Sequence, residues 1–164
     1  NAAGVRVLLL GLVPTPMVCY ATKIGVTPNG VMITGSHNPK DDNGLKIVIN
    51  DKPVSGEELL AEVEEQSDVE SLEKNSEVID FYSHYQKEIN EKFKLKKEIK
   101  IVLDAGNGAA GILADNVFIS QGFETISINK QPDGNFPNHH PDPSKEKNLE
   151  QLKRAVLDLS LIHI

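Results

Sequence analysis

Apolar residues in this chain occur in short runs set apart by polar, proline-marked or glycine-marked turns, and the spacing changes from run to run. Val5 to Leu10 is nearly continuous and aliphatic, as in a strand. Asn1-Ala2-Ala3 before it, with Gly4 as a left-handed cap, reads as the tail of a helix and places the start of the sequence inside a domain. Pro14-Thr15-Pro16 opens a short helix over Met17 to Ile24, since proline suits the first helical turn. A strand over Val31 to Thr34 follows, then an Asn43-Gly44 turn and a β-branched run from Leu45 to Ile49. Ser55-Gly56-Glu57-Glu58 has the form of a capping box, and the helix it opens is expected to reach about Gln66. Residues 67–76 are acidic and polar, with only Val69 and Leu72 apolar, and read as a surface connection.

Beyond it, Phe81, Tyr85, Ile89 and Phe93 recur at helical spacing and give one apolar face. His84 beside that face reads as an interfacial or solvent-facing histidine. Lys94, Lys96, Lys97 and Lys100 read as a solvated helix end, where cations are favoured. A strand over Ile99 to Asp104, a glycine-rich turn, a helix and a strand over Thr125 to Ile128 make a second unit. The long proline-punctuated loop Gln131 to Pro143 leads to Ser144, a predicted N-cap, and to the amphipathic segment Leu149 to Leu157. Alternating strands and helices define an α/β fold with mixed sheets flanked by helices.

Composition narrows the function. At 164 residues and 18.0 kDa the chain has room for one domain or two small ones. Its 17 basic residues face 24 acidic ones, a net charge of −7, which argues against a nucleic-acid partner but leaves room for a local site that binds a small phosphate. The longest apolar stretch, Val7 to Val13, is far short of the roughly 20 residues of a membrane helix. No signal peptide is visible at Asn1-Ala2-Ala3-Gly4, which lacks a basic start. Cys19, alone in the sequence, has no intramolecular disulfide partner, fits a reducing and hence cytoplasmic compartment, and reads as a small buried apolar residue. Residues 159–164 match the translation of a transposon-based sequencing adapter and read as a non-native tail.

Three places could carry chemistry. Thr34-Gly35-Ser36-His37-Asn38-Pro39 sets a serine on a loop just after a strand, where its hydroxyl is exposed and the peptide N–H groups around Gly35 can converge on an anion. His37 and Lys46 bring positive charge. By itself the hexapeptide is also a good turn. Gly106, Gly108 and Gly111 form G-x-G-x-x-G after a strand, the dinucleotide-binding fingerprint. The acidic residue that fingerprint expects is missing, because the next strand ends in Asn129-Lys130, and glycines at a tight turn also have a purely structural explanation. His139, His140 and Asp142 carry metal-ligating groups, but adjacent side chains in an extended loop point apart, which favours packing or a domain contact.

Gly11-Leu12-Val13-Pro14-Thr15-Pro16, Thr34 to Pro39, Asn43-Gly44-Leu45-Lys46, Asp104 to Gly108 and Asp133 to Pro143 together resemble the α-D-phosphohexomutase family, in family order over nearly the whole chain. The last run is most similar to the phosphomannomutase/phosphoglucomutase branch. The resemblance implies residues 1–77 as the later part of a first domain, with the phosphoserine loop. It implies 78–158 as a linker helix and the earlier part of a second domain, within a four-domain enzyme that interconverts hexose 1-phosphate and hexose 6-phosphate. Ser36 then corresponds to the phosphorylated serine, Lys46 to an acid/base or electrostatic clamp, and His37 to a positioning group. Asn38 shapes the loop, and Thr34 and Gly35 belong to the phosphate loop. The family's Mg²⁺ would meet Ser36 through its phosphate, with the other ligands on an Asp-Gly-Asp-Gly-Asp-Arg loop that this sequence does not contain, so this polypeptide alone is expected to be inactive. A dinucleotide-binding domain and a non-catalytic α/β binding module are the competing readings.

Overall fold

The structure is a computed structural model that describes residues 5–62, 76–94 and 99–159. By their contacts the residues form two compact units, one of Asn1–Met32 with Lys46–Tyr82 and the other of Ile33–Leu45 with Ser83–Ile164. The predicted cap at Gly4, the tail over residues 160–164 and the stretch around Gln66 lie outside the described residues.

In the first unit, β1 (Val7–Leu9) runs parallel to β5 (Ser76–Val78), with Val7 opposite Ser76 and Leu9 opposite Val78. Ser76-Glu77-Val78 begins on the last residue of the stretch that its polarity marked as connection, residues 67–76. Pairing with β1 makes it a strand, helped by an Arg6–Glu77 ion pair and by the Ile79 N–H donating to the Leu9 carbonyl at 3.0 Å. Helix α1 (Thr15–Lys23) begins after Pro14 in extended conformation and buries Met17, Val18, Ala21 and Thr22, Met17 completely. The helical period turns Cys19 off that stripe, and its thiol is exposed rather than buried. The helix stops where Gly25 takes φ +78° and the Val26 N–H reaches back to the Ala21 carbonyl at 3.0 Å, a Schellman-type ending. The Tyr20 ring lies 6.4 Å from that of buried Phe81.

A three-stranded sheet has the order β2 (Gly30–Ile33), β3 (Leu45–Ile49), β4 (Lys52–Val54). Strand β4 was not foreseen from the sequence. It is antiparallel to β3, and Asn50 and Asp51 close the hairpin with φ values of 49° and 61°, the positive pair that a two-residue hairpin turn matching strand twist requires. Helix α2 (Gly56–Glu62) carries the capping box as read. The Glu58 N–H donates to Ser55 Oγ at 3.2 Å and the Ser55 N–H to Glu58 Oε2 at 2.8 Å.

In the second unit, β6 (Lys100–Asp104) and β7 (Glu124–Ile128) are parallel and in register from Lys100 opposite Glu124 to Asp104 opposite Ile128, with the short helix α4 (Ala114–Ser120) in the crossover. Lys100 pairs with Glu124 at 2.9 Å, so it is a strand residue and not part of a solvated helix end. Leu113 and Phe123 are buried, and Phe118 meets Phe123 edge-on at 5.9 Å. Helix α3 (Phe81–Lys92) buries Phe81, half-buries Tyr85 and Ile89, and ends just before Phe93, which is exposed. Asn90 Oδ1 accepts from Ser120 Oγ at 3.0 Å and from Gln121 Nε2 at 2.8 Å, tying α3 to α4.

The final helix, α5 (Glu150–Asp158), does not start on Ser144. A 3-10 turn over Glu146–Leu149 precedes it, and the Ser144 N–H donates to Asp142 Oδ1 at 2.9 Å. Asp142 takes the local backbone donor, and buried Asn148 donates to its carbonyl at 2.7 Å, so the chain turns through the loop before it coils. Among the described residues no helix is long and apolar enough to cross a membrane.

Candidate functional site

The connection between β2 and β3 is a loop held at its neck, where the Thr34 N–H donates to the Gly44 carbonyl at 2.9 Å. Inside it, the Ser36 N–H donates to Thr34 Oγ1 at 2.9 Å and the Asn38 N–H to the Gly35 carbonyl at 3.1 Å. Gly35 is dictated by crowding: a Cβ there would lie 2.5 Å from the Asp42 carbonyl oxygen. The chain leaves Gly35 into Ser36 with φ +58°, a left-handed conformation that costs an L-residue about 1 kcal/mol. Strained non-glycine backbone of this kind concentrates at functional sites. It leaves Ser36 exposed, with its Oγ 3.3 Å from His37 Nδ1, in a pair where either group can donate according to the imidazole tautomer. His37 and Asn38 are exposed as well. Lys46 is exposed on β3 and belongs to the first unit, whereas Thr34, Gly35, Ser36, His37 and Asn38 belong to the second.

The glycine-rich turn after β6 is occupied by the chain itself. A Cβ on Gly111 would lie 1.8 Å from the Lys130 carbonyl oxygen, and one on Gly106 would lie 3.4 Å from His139 Cε1. The glycines therefore let two stretches of backbone and a histidine close together, which is the structural reading of the fingerprint. Asn107, with φ +57°, is buried and hydrogen-bonded throughout. Its N–H donates to the Asn129 carbonyl at 2.8 Å, its Nδ2 to the Gln131 carbonyl at 2.9 Å, and its Oδ1 accepts from Asn138 Nδ2 at 2.8 Å.

Asp104, at the end of β6, has a side chain only 6% exposed and is fully engaged. Its Oδ1 accepts from the Gly106 N–H at 2.9 Å and from Asn129 Nδ2 at 3.0 Å, while Oδ2 lies 2.9 Å from His139 Nε2. His139 Nδ1 lies 2.9 Å from the His140 carbonyl. Both ring nitrogens thus face oxygen acceptors, and only the imidazolium satisfies both. The His140 carbonyl first, and then Asp104, raise the His139 pKa above its usual value, with burial working against them. His139 is consequently an ion-paired packing residue. Among the described residues no three His, Cys, Asp or Glu side chains group so as to hold a metal.

The same loop approaches the serine loop within the second unit. Lys40 Nζ donates to Asn135 Oδ1 at 3.5 Å. The Asp142 carboxyl is held below its usual value first by the Ser144 hydrogen bonds, to which the charges of His37 and Lys145 add. Asn135 and Asp142 lie in the run Asp133 to Pro143 that carried the resemblance, but nothing local in that run points to residues about a hundred positions earlier.

The fold is thus that of an α/β protein with an exposed serine loop at a strand end. Residues 1–74 match the family description "Phosphoglucomutase/phosphomannomutase, alpha/beta/alpha domain I", and residues 79–162 match domain II of the same family. The chain belongs to the phosphoglucomutase/phosphomannomutase family. It is 43% identical over 156 residues to the phosphomannomutase/phosphoglucomutase of Pseudomonas putida, covering 94% of this chain and 34% of that protein. It is 43% identical over 159 residues to a phosphoglucomutase of Neisseria gonorrhoeae, with 94% and 34% covered. The crystal structure of a phosphoglucomutase/phosphomannomutase family protein from Burkholderia thailandensis superimposes with a TM-score of 0.79 at 34% identity, over 94% of this chain and 36% of that one. The chain spans about a third of the length of the curated relatives it matches.

Proposed function

We propose that the protein containing this chain is a phosphohexomutase that interconverts hexose 1-phosphate and hexose 6-phosphate, of mannose or glucose, through a phosphoserine at Ser36. The observation that carries this reading is the left-handed, exposed Ser36 on a loop whose glycine admits no side chain, in a chain of this family. In the forward half-reaction the bond between the phosphorus and Ser36 Oγ breaks, and a bond to the free hydroxyl oxygen of the hexose phosphate forms. The hydroxyl proton passes to a base, the role we assign to Lys46, with electrostatic clamping as its companion role. The bisphosphorylated sugar then turns in the site and returns its other phosphoryl group to Ser36 Oγ. His37 orients the acceptor and leaving oxygen, and Thr34, Gly35 and Asn38 hold the loop open to the anion.

Ser36, through its phosphate, would contribute one ligand to Mg²⁺. Residues 1–77 and 78–158 would be portions of the first and second domains of that enzyme. A small-molecule phosphosugar partner and a cytoplasmic location suit this chemistry and the lone, exposed Cys19.

The test is direct. Incubating the full-length protein with a hexose 1,6-bisphosphate should add one phosphoryl group to the peptide bearing Ser36, read by mass spectrometry, and Ser36→Ala should abolish both the label and mutase turnover. Stable labelling at another residue, with Ser36→Ala fully active, would refute the proposal.

A further inference from the structure

An asparagine followed by glycine exposes the backbone to attack from within, because glycine has no Cβ to shield its peptide nitrogen from the preceding side-chain amide. The chain has three such pairs, Asn29-Gly30, Asn43-Gly44 and Asn107-Gly108, and the fold treats them differently. Asn107 is buried, its amide is bonded to the Gln131 carbonyl and to Asn138, and the Gly108 N–H donates to the Ala105 carbonyl at 2.8 Å. At Asn29, Oδ1 accepts from the Asn50 N–H at 3.1 Å. Gly30 opens β2 against α1, where a Cβ would lie 3.0 Å from the Val18 and Thr22 side chains. Asn43 is exposed, and the Gly44 N–H donates to Asn43 Oδ1 at 3.3 Å, so this peptide nitrogen faces the very amide that can trap it. The loop also requires glycine here, since a Cβ on Gly44 would lie 3.3 Å from the Thr34 carbonyl oxygen.

We propose that Asn43-Gly44 is a site of spontaneous covalent modification, at which the neck of the serine loop deamidates through a succinimide. A solvent base removes the Gly44 amide proton, the nitrogen bonds to Asn43 Cγ, and the Cγ–Nδ2 bond breaks to release ammonia. Water then opens the ring at either carbonyl and leaves an aspartyl or isoaspartyl link at position 43. Both products add a carboxylate beside Asp41 and Asp42. The isoaspartyl link also lengthens the backbone by a methylene where the Thr34 N–H and the Gly44 carbonyl close the loop. The modification is independent of the mutase reading above. Its effect on turnover rests on that reading, since an added anion on the Ser36 loop repels a phosphosugar.

Trypsin separates the three pairs into residues 24–40, 41–46 and 101–130. After incubation of the full-length protein at mildly alkaline pH, mass spectrometry should find the amide-to-acid mass increase in residues 41–46 about tenfold sooner than in the other two peptides. In urea the three rates should converge, because the protection of Asn29 and Asn107 exists only in the fold. Asn43→Gln, whose longer side chain closes the ring far more slowly, should keep residues 41–46 unmodified and slow the loss of hexose phosphate turnover. Conversion at Asn29 or Asn107 as fast as at Asn43 in the native protein, or the same order of rates in urea, would overturn the site. Turnover that holds steady while residues 41–46 convert would overturn its effect on the loop. If Ser36→Ala keeps full turnover, the mutase reading fails, and the peptide masses still decide the modification.

Discussion

Ser36 and Gly35 divide the work of shaping their loop. Gly35 is required by the Asp42 carbonyl that crosses it, whereas Ser36 holds a left-handed backbone that serine does not favour. Strain of this origin is measurable. Ser36→Gly should be more stable than Ser36→Ala by about 1 kcal/mol in urea titrations, because only glycine relaxes at φ +58°. Equal stabilities would mean the conformation costs nothing. At Gly111 the expectation is larger. Gly111→Ala drives a methyl group into the Lys130 carbonyl and should cost about 3 kcal/mol or more, seen as a lowered urea midpoint. His139 supplies a pH signature. Its pKa is raised in the folded chain, so its contribution is fully present below the ordinary histidine value of 6.5 and is lost as pH rises through the folded value. His139→Gln should therefore flatten stability against pH above about 6.5, and a slope identical to wild type would show the contacts of His139 with the His140 carbonyl and Asp104 to be inert.

Among the elements, those with a local signal were legible. The capping box at Ser55 and Glu58, the strand Leu45 to Ile49 and the proline-started helix α1 all follow from bonds or shapes made within a few residues. Ser55→Ala should destabilise α2 by about 1 kcal/mol, visible as lost helical circular dichroism and faster exchange of the α2 amides. Strands β4 and β5 were not legible, since each has three residues and no alternation to read. A partner defines them: β3 for the one, β1 for the other. Ser144 had the composition of a cap but lost its helix to Asp142, which claims its N–H and starts a turn instead.

For the molecule as a whole, the sequence by itself determined the α/β class, the order of most elements and the serine loop, because hydrophobic period, turn residues and caps are short-range physics. It also marked Asp133 to Pro143 as unusual without saying why. Only the tertiary structure decided which residues these loops face. It set Cys19 outside the buried stripe of α1, put His139 on Asp104, filled the glycine turn with Lys130 and His139, and grouped residues 33–45 with the second unit. Those outcomes depend on contacts between residues tens of positions apart, where the cost of loop closure is nearly indifferent to sequence and only the packed partners choose between alternatives.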